Sequence, residues 1–202
     1  MYKLKNKLLI KKLLIVLITF IVMSLFLLPK QNLMVNANFE TDVTHKSSVL
    51  VEYNTGKILV DNNAHEKLPI ASVTKLMTIL LTLEEIDVGN LNTADKIVVS
   101  ENASGMGGSQ IFLEANYEYE IGELLKSVIV CSANDSSVAL AEHIAGSEQN
   151  FVKMMNDKAS TLGLNNTHYS NSTGLPTNDG YSSAYDQAIV LKHVLSYDLY
   201  HD

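Results

Sequence analysis

The sequence LPIASVTKLMT, residues 68–78, places a serine and a lysine three positions apart within a run of good helix formers. Proline is favoured in the first turn of a helix, where its missing N–H removes no bond. We therefore expect a helix from near Ser72 to about Glu85, with Ser72 and Lys75 in contact on one face. A lysine whose pKa is lowered by burial can take the proton of a serine and make it a nucleophile. Read alone, the spacing is also typical of a capped helix with a surface lysine.

Length and composition favour a globular domain. The chain has 202 residues, 47% hydrophobic and 18% charged, which allows one domain or slightly more. Its single cysteine, Cys131, excludes an internal disulfide framework, and we expect it to be a small buried residue. The six histidines show neither H-E-x-x-H nor H-x-x-E-H spacing, so the sequence predicts no metal site and no cofactor.

The first 37 residues have the pattern of a targeting segment. Five lysines within residues 3–12 precede an apolar run, Leu13–Leu28, and residues 35–37 (Val-Asn-Ala) are of the small or apolar type that a signal peptidase reads. We expect a signal peptide cleaved after Ala37, so that residues 38–202 act outside the cytoplasm, secreted or at the cell envelope. The alternative is an uncleaved N-terminal anchor, although the apolar run of about 16 residues is short for a spanning helix of roughly 20.

The remainder of the chain is strongly acidic. Residues 38–202 contain 9 lysines, no arginine and 22 acidic residues. Nucleic-acid binding needs a basic face, so this balance argues against a nucleic-acid partner. It argues equally against tight association with an anionic membrane surface, which leaves the N-terminal segment, if uncleaved, as the membrane contact.

Around the central helix the sequence predicts a hairpin and further helices. Strand and turn signals predict strands at 48–53 and 57–60, joined by Asn54-Thr55-Gly56, and a short strand at 96–100. Helical periodicity and end signals predict helices at 121–130, 136–144, 148–162 and 184–195. Residues 101–110, rich in glycine and serine, are typical of a loop.

A second polar motif, Ser132-Ala133-Asn134, lies 60 residues after Ser72, between two predicted helices. On a tight turn, its hydroxyl and carboxamide can both point into a cleft, where the hydroxyl relays a proton and the amide hydrogen-bonds a peptide. The same residues are also typical of a polar turn between helices, in which Asn134 or Asp135 caps the next helix.

The two motifs, in this order and after a secretion signal, point to one family. S-x-x-K followed by a Ser-x-Asn triplet is typical of β-lactamases and penicillin-binding proteins. The chain resembles the serine D-alanyl-D-alanine carboxypeptidases of peptidase family S11, the low-molecular-mass penicillin-binding proteins. The resemblance runs from about Ser48 to His193 and includes GGSQIFLEANYEYEIGELLKSVIVCSANDSSVALAEHIAG, FVKMMNDKASTLGLNNTHYSNSTGL and GYSSAYDQAIVLKH. It implies a mixed α/β fold of the serine β-lactamase and penicillin-binding-protein type, with helices packed on an antiparallel sheet.

The resemblance also implies a reaction and assigns residues to it. The substrate is a peptidoglycan stem peptide ending in D-Ala-D-Ala, and an acyl-enzyme forms on Ser72 after Lys75 accepts the serine proton. Ser132 relays a proton toward the leaving amine, Asn134 holds the substrate amide, and no metal takes part. β-Lactams would acylate the same serine. The activity would serve cell-wall synthesis and remodelling, and through them cell shape.

One motif of that family, Lys-Thr-Gly, does not occur in the 202 residues. In relatives it lies on a strand beyond the region that matches residues 182–193. We therefore expect residues 38–202 to be a partial catalytic domain, incomplete at its C-terminus, without the strand that holds the substrate carboxylate and most of the central sheet. An isolated hairpin is marginal and leaves its edge exposed, so we expect a fragment that folds poorly or is catalytically weak or inactive.

Two alternatives stay open from the sequence. A serine β-lactamase shares the fold and the nucleophile but needs an efficient deacylation base, and no E-x-x-L-N segment follows the Ser132 motif. The other alternative is a non-catalytic remnant that binds peptidoglycan peptides or β-lactams without turnover, which the missing Lys-Thr-Gly motif favours.

Overall fold

A computed structural model of the chain describes residues 45–201. The predicted signal segment, residues 1–37, and its cleavage position lie outside the described residues. In the described part, four strands and six α-helices follow one another. These are β1 (Ser48–Val51), β2 (Ile58–Asn62), α1 (Lys75–Asp87), β3 (Lys96–Val98), α2 (Glu101–Ser104), β4 (Glu118–Glu120), α3 (Ile121–Cys131), α4 (Asn134–Ala145), α5 (Glu148–Thr161) and α6 (Ala184–Val194).

Strands β1 and β2 form the predicted hairpin, in which Leu50 lies opposite Val60. Gly56 in its turn has a φ of 71°, a conformation that glycine adopts without strain. Strands β3 and β4 form a second, separate two-stranded sheet. Helix α6 packs against β1, yet Leu50 and Leu59 remain 49% and 52% exposed. These two leucine side chains are therefore only about half covered by the rest of the described residues.

Helix α1 is the centre of the hydrophobic core. It packs against α3, α4, α5 and α6, and residues 77–83 are all buried. A helix surrounded on every side has apolar residues on every side, which explains this nearly continuous apolar run. Its two threonines are satisfied by hydrogen bonds, from Thr82 Oγ1 to Thr78 O at 2.8 Å and from Thr78 Oγ1 to Ser172 O at 2.7 Å. The helix that begins at Lys75 is therefore held from all sides.

The start of this helix differs from the prediction. Pro69 lies outside it, Ala71–Thr74 forms a 3-10 turn, and the α-helix runs from Lys75 to Asp87. Ala71 has a φ of 44°, in the left-handed region, so a regular helix cannot extend through it toward the proline. The carbonyl oxygen of Ala71 abuts Gly174, where an added Cβ would lie only 1.8 Å from it. Tertiary packing thus overrides the local helix signal.

The other predicted helices are confirmed, with small shifts at their ends. Gly146, whose φ is 75°, is the C-cap of α4, and Ser147 is the N-cap of α5. Helix α6 is capped by Ser183, whose hydroxyl accepts the N–H of Asp186 at 3.2 Å. The predicted loop 101–110 contains the single-turn helix α2. Strand β4 has no counterpart among the predicted strands, because its sequence Glu-Tyr-Glu lacks an apolar pattern.

Two predictions near the second motif are wrong. Cys131 is exposed rather than buried, because the buried stripe of α3 ends at Val128 and the last turn of the helix faces solvent. Helix α4 is capped by neither Asn134 nor Asp135. Its N-cap is Ala133, whose side chain makes no capping hydrogen bond.

Candidate active site

Ser72 and Lys75 are in contact in the structure. Ser72 lies in the 3-10 turn, in which side chains three positions apart eclipse one another. Lys75 Nζ donates to Ser72 Oγ over 3.3 Å. This is a long hydrogen bond, and in enzymes bonds of this kind often shorten when a substrate binds.

The Lys75 amine is held away from water. The residue is 3% exposed, and burial lowers the pKa of the amine from 10.5 to about 8. Neither of the two ion pairs found among residues 45–201 involves it. The amine instead donates to the carbonyl oxygen of Thr173 at 2.6 Å. Near neutral pH a fraction of the amine is therefore uncharged, and this is the form that can accept a proton from serine.

The carbonyl that binds Lys75 belongs to a buried loop, residues 171–174. Ser172 and Thr173 are 0% and 1% exposed. Asn171 Oδ1 accepts the backbone N–H groups of Thr173 at 3.2 Å and Gly174 at 2.6 Å, so its side chain organises the turn. From the sequence only the overlapping stretch Thr173-Gly174-Leu175-Pro176 is recognised, as a turn. Its contact with Lys75 has no sequence signal, because every residue type has a backbone carbonyl.

Gly174 lets this loop lie directly on the backbone of the serine turn. It has a φ of 80°, and an added Cβ would lie 1.8 Å from Ala71 O and 3.0 Å from Ser72 N. A larger residue therefore fits only if the backbone beside Ser72 moves. The loop and the serine turn form one packed unit.

Ser132 ends α3 in a left-handed conformation, with a φ of 54°. This conformation is uncommon for a residue other than glycine and strains the backbone. The residue is half-buried. Among the hydrogen bonds of the described residues, none joins its hydroxyl to Ser72 or to Lys75, whose own partners are Ser72 Oγ and Thr173 O. The contact that a proton relay through Ser132 requires is not formed in this structure.

Asn134 begins α4 and is 4% exposed. Its Nδ2 donates to Gly107 O at 2.7 Å, so an N–H of this amide is already bound to the glycine-rich loop, residues 105–110. An added Cβ at Gly108 would lie 2.8 Å from Asn134 Nδ2 and 3.8 Å from Leu175 Cδ2. The glycine-rich loop therefore bridges the second motif and the segment that follows Gly174. Its composition is typical of a surface connection, and the loop is largely exposed, but it also contacts the second motif through Asn134.

Asp135 fixes the segment that follows the glycine-rich loop. Its buried carboxylate accepts the backbone N–H groups of Ile111 and Leu113, each at 3.1 Å from Oδ2. Between these two residues, Phe112 has a φ of 60° and is 77% exposed. Asp135 therefore stabilises a strained turn beside Asn134 instead of capping a helix.

The chemistry that the geometry offers is that of a serine hydroxyl beside an amine with a lowered pKa, an arrangement suited to acyl transfer through a covalent intermediate. Within residues 45–201, no group of three His, Cys, Asp or Glu side chains is placed to hold a metal ion. In the same part of the chain, no helix has both the length and the apolar character needed to cross a membrane.

Comparison with known proteins identifies relatives along most of the chain. The family model described as D-alanyl-D-alanine carboxypeptidase, peptidase family S11, matches residues 34–201. The chain is 52% identical over 153 residues to the D-alanyl-D-alanine carboxypeptidase DacF of Bacillus subtilis, a match that covers 76% of this chain and 39% of the relative. It is 37% identical over 156 residues to DacA of Haemophilus influenzae, covering 76% of this chain and 40% of that relative. The chain thus spans about two fifths of the length of these relatives.

Solved structures agree with the sequence comparison. The D-alanyl-D-alanine carboxypeptidase DacD of Francisella tularensis superimposes with a TM-score of 0.76 at 35% identity, covering 80% of this chain and 40% of that one. Penicillin-binding protein 5 of Haemophilus influenzae superimposes with a TM-score of 0.74 at 36% identity, covering 77% of this chain and 46% of that one. These matches confirm the predicted mixed α/β fold of the penicillin-binding-protein type.

Proposed function

Because this chain belongs to the D-alanyl-D-alanine carboxypeptidase family, we propose that it removes the terminal D-alanine from peptidoglycan stem peptides that end in D-Ala-D-Ala. The observation that carries the proposal is the Ser72–Lys75 pair, a hydroxyl 3.3 Å from an amine whose pKa is lowered by burial to about 8. The names of the relatives support the choice of reaction and substrate.

In the proposed reaction, Ser72 Oγ attacks the carbonyl carbon of the penultimate D-alanine while its proton passes to the uncharged Lys75 Nζ. One N–H of this amine is held by Thr173 O. In the uncharged amine the contact with Ser72 Oγ reverses its direction, so that the serine hydroxyl donates to the lone pair of Nζ. The peptide C–N bond then breaks, and the leaving nitrogen takes up a proton and departs as free D-alanine. Water hydrolyses the ester on Ser72 and regenerates the serine.

Ser132 and Asn134 complete the proposed site. Ser132 relays the proton toward the leaving amine, for which its hydroxyl has to turn toward Lys75. Asn134 holds the substrate amide, for which its Nδ2 exchanges Gly107 O for a carbonyl of the peptide. Both steps call for a rearrangement of the polar groups at the end of α3 and the start of α4 when substrate binds.

The proposed substrate places the reaction outside the cytoplasm, at the cell envelope. The signal-like pattern of residues 1–37 is the proposed means of export. β-Lactams are proposed as covalent inhibitors, because they present a reactive amide to the same serine. In this proposal the activity contributes to peptidoglycan remodelling and to cell shape, and it uses neither a cofactor nor a nucleic acid.

Release of D-alanine from a peptide ending in D-Ala-D-Ala tests the proposal, with the same peptide ending in D-Ala-L-Ala as the matched substrate control. Any D-alanine that the 202-residue chain releases, at the weak rate expected of a partial catalytic domain, should come from the first peptide only, and the Ser72→Ala variant should release none from either. Rapid turnover of nitrocefin without D-alanine release would indicate a serine β-lactamase instead. Binding of the peptide without release would indicate a non-catalytic binding protein. Either result contradicts the proposal.

The rate of Ser72 acylation is expected to rise with pH up to about 8 and then level off. The pKa of Lys75 is lowered to about 8, so about one tenth of the amine is uncharged at pH 7. Because only the uncharged amine accepts the serine proton, the rate should rise nearly tenfold per pH unit well below pH 8. Labelling by a fluorescent penicillin between about pH 6 and 9, corrected with Ser72→Ala, measures the profile. A flat profile contradicts the assignment of Lys75 as the base.

A further inference from the structure

The orientation of the Lys75 amine depends on one carbonyl group. Thr173 O accepts from Nζ at 2.6 Å, whereas the contact between Nζ and Ser72 Oγ measures 3.3 Å. Thr173 lies in loop 171–174, which belongs to neither a helix nor a strand. The carbonyl therefore stays in place only if other contacts hold this loop.

Glu148, the first residue of α5, provides such a contact. Its Oε1 accepts both the backbone N–H of Ser172 at 3.0 Å and the hydroxyl of Ser172 at 2.7 Å. Ser172 is 0% exposed, so loss of this acceptor leaves a buried N–H and a buried O–H without a partner. Hydrogen bonds to a carboxylate are also stronger than those to a neutral oxygen.

Helix α1 holds Ser172 from the other side. Thr78 Oγ1 donates to Ser172 O at 2.7 Å, and Thr78 lies three residues after Lys75 on the same helix. The residue that precedes Thr173 is thus bound through its N–H, its hydroxyl and its carbonyl. A movement of the loop as a whole that withdraws Thr173 O from Lys75 has to break these bonds together, and the peptide that carries Thr173 O is itself held by the bond from Gly174 N–H to Asn171 Oδ1 at 2.6 Å.

We propose that Glu148 is a positioning residue for the Ser72–Lys75 pair, because by holding Ser172 it fixes the Thr173 carbonyl that orients the Lys75 amine and keeps water away from it. The inference rests on the proposed function, since this pair is the one assigned to acyl transfer. Glu148 touches neither the substrate nor the reacting atoms and acts through loop 171–174. A carboxylate at the start of a helix also stabilises that helix. If Glu148 only stabilised the helix, its substitution would leave the titration midpoint of Lys75 unchanged.

Titration of Lys75 distinguishes the two roles. The 202-residue chain is labelled with ¹³C-lysine, the Lys75 signal is assigned by its absence in Lys75→Met, and its titration midpoint is followed by NMR. Glu148→Ala removes both the charge and the acceptor, whereas Glu148→Gln removes the charge and keeps an oxygen acceptor for Ser172. The comparison of these two variants therefore separates the effect of the hydrogen bonds to Ser172 from the effect of the negative charge.

Glu142→Ala is the matched control. Its carboxylate also accepts two side-chain hydrogen bonds, from Ser100 Oγ at 2.5 Å and Asn102 Nδ2 at 2.8 Å, but neither partner belongs to loop 171–174. A general loss of stability should therefore appear in this variant as well. The titration midpoint of Lys75 should not shift in this variant.

In Glu148→Ala the titration midpoint of Lys75 is expected to rise by about one pH unit or more toward 10.5, because water reaches the amine. Glu148→Gln and Glu142→Ala are expected to stay close to the wild type. An unchanged midpoint in folded Glu148→Ala overturns the proposal, and so does an equal shift in Glu148→Gln.

If Glu148→Ala does not fold, the titration midpoint of Lys75 is measured in Thr78→Val instead. This variant removes the hydrogen bond from helix α1 to Ser172 O with little change of side-chain volume. The midpoint is again expected to rise, and an unchanged midpoint overturns the proposal. The titration needs no turnover. If the midpoint shifts as expected but no D-alanine is released, the positioning role of Glu148 stands and the proposed function fails. The failure of one proposal is therefore distinguishable from the failure of the other.

Discussion

Replacing Lys75 with methionine is expected to slow the covalent labelling of Ser72 by a fluorescent penicillin by about a thousandfold or more. A positioned general base typically contributes roughly 10²- to 10⁴-fold, and groups that act as a unit are lost together. Methionine is a similarly long, flexible side chain that can occupy the buried position of Lys75, which is 3% exposed, but it accepts no proton. The labelling rate is measured at about pH 8 by fluorescence of the separated protein.

The control for this substitution is Lys126→Met, because Lys126 is an exposed lysine on helix α3. It should be labelled at the wild-type rate. Thermal melting establishes that Lys75→Met is folded, which we expect because burial already opposes the charge of the native amine. If folded Lys75→Met is labelled as fast as the wild type, Lys75 is not the base that activates Ser72.

Gly174→Ala is expected to destabilise the protein by about 2–5 kcal/mol and to abolish the labelling of Ser72. The left-handed backbone costs a residue other than glycine roughly 1–2 kcal/mol, and overpacking typically adds about 1–3 kcal/mol. The added Cβ would lie 1.8 Å from Ala71 O, so the backbone beside the nucleophile has to move. Urea unfolding followed by circular dichroism measures the loss of stability, and penicillin labelling measures the loss of the site.

Gly163→Ala separates backbone strain from steric overlap. Gly163 also has a positive φ, 71°, but nothing lies within 4 Å of an added Cβ. This variant should lose only about 1–2 kcal/mol of unfolding free energy and retain full labelling. If the two substitutions lower the free energy of unfolding equally, steric overlap between an added Cβ at residue 174 and the serine turn does not contribute to the destabilisation.

Local signals in the sequence determined the helices and the residues that carry the proposed chemistry. Helix α6 shows why this works, since Ser183 as its cap and Asp186 in its first turn are neighbours in sequence and lie in that geometry in the structure. The spacing of Ser72 and Lys75 is a local signal of the same kind. Contacts within one or two helical turns depend on residue type and spacing, which the sequence contains directly.

Only the tertiary structure decided how the serine–lysine pair is held. The bond between Lys75 and Thr173 joins residues 98 positions apart and uses a backbone carbonyl, which no residue type signals. The left-handed conformation of Ala71 accompanies the close approach of Gly174 to its carbonyl, and the helix does not extend back to Pro69 despite the helix signal of the proline. The burial that lowers the pKa of Lys75 likewise depends on segments that meet only in the folded chain. Sequence patterns report local conformational preferences. The burial of an amine, the backbone carbonyl that it binds and the strain of a backbone turn are set by contacts between distant segments of the folded chain.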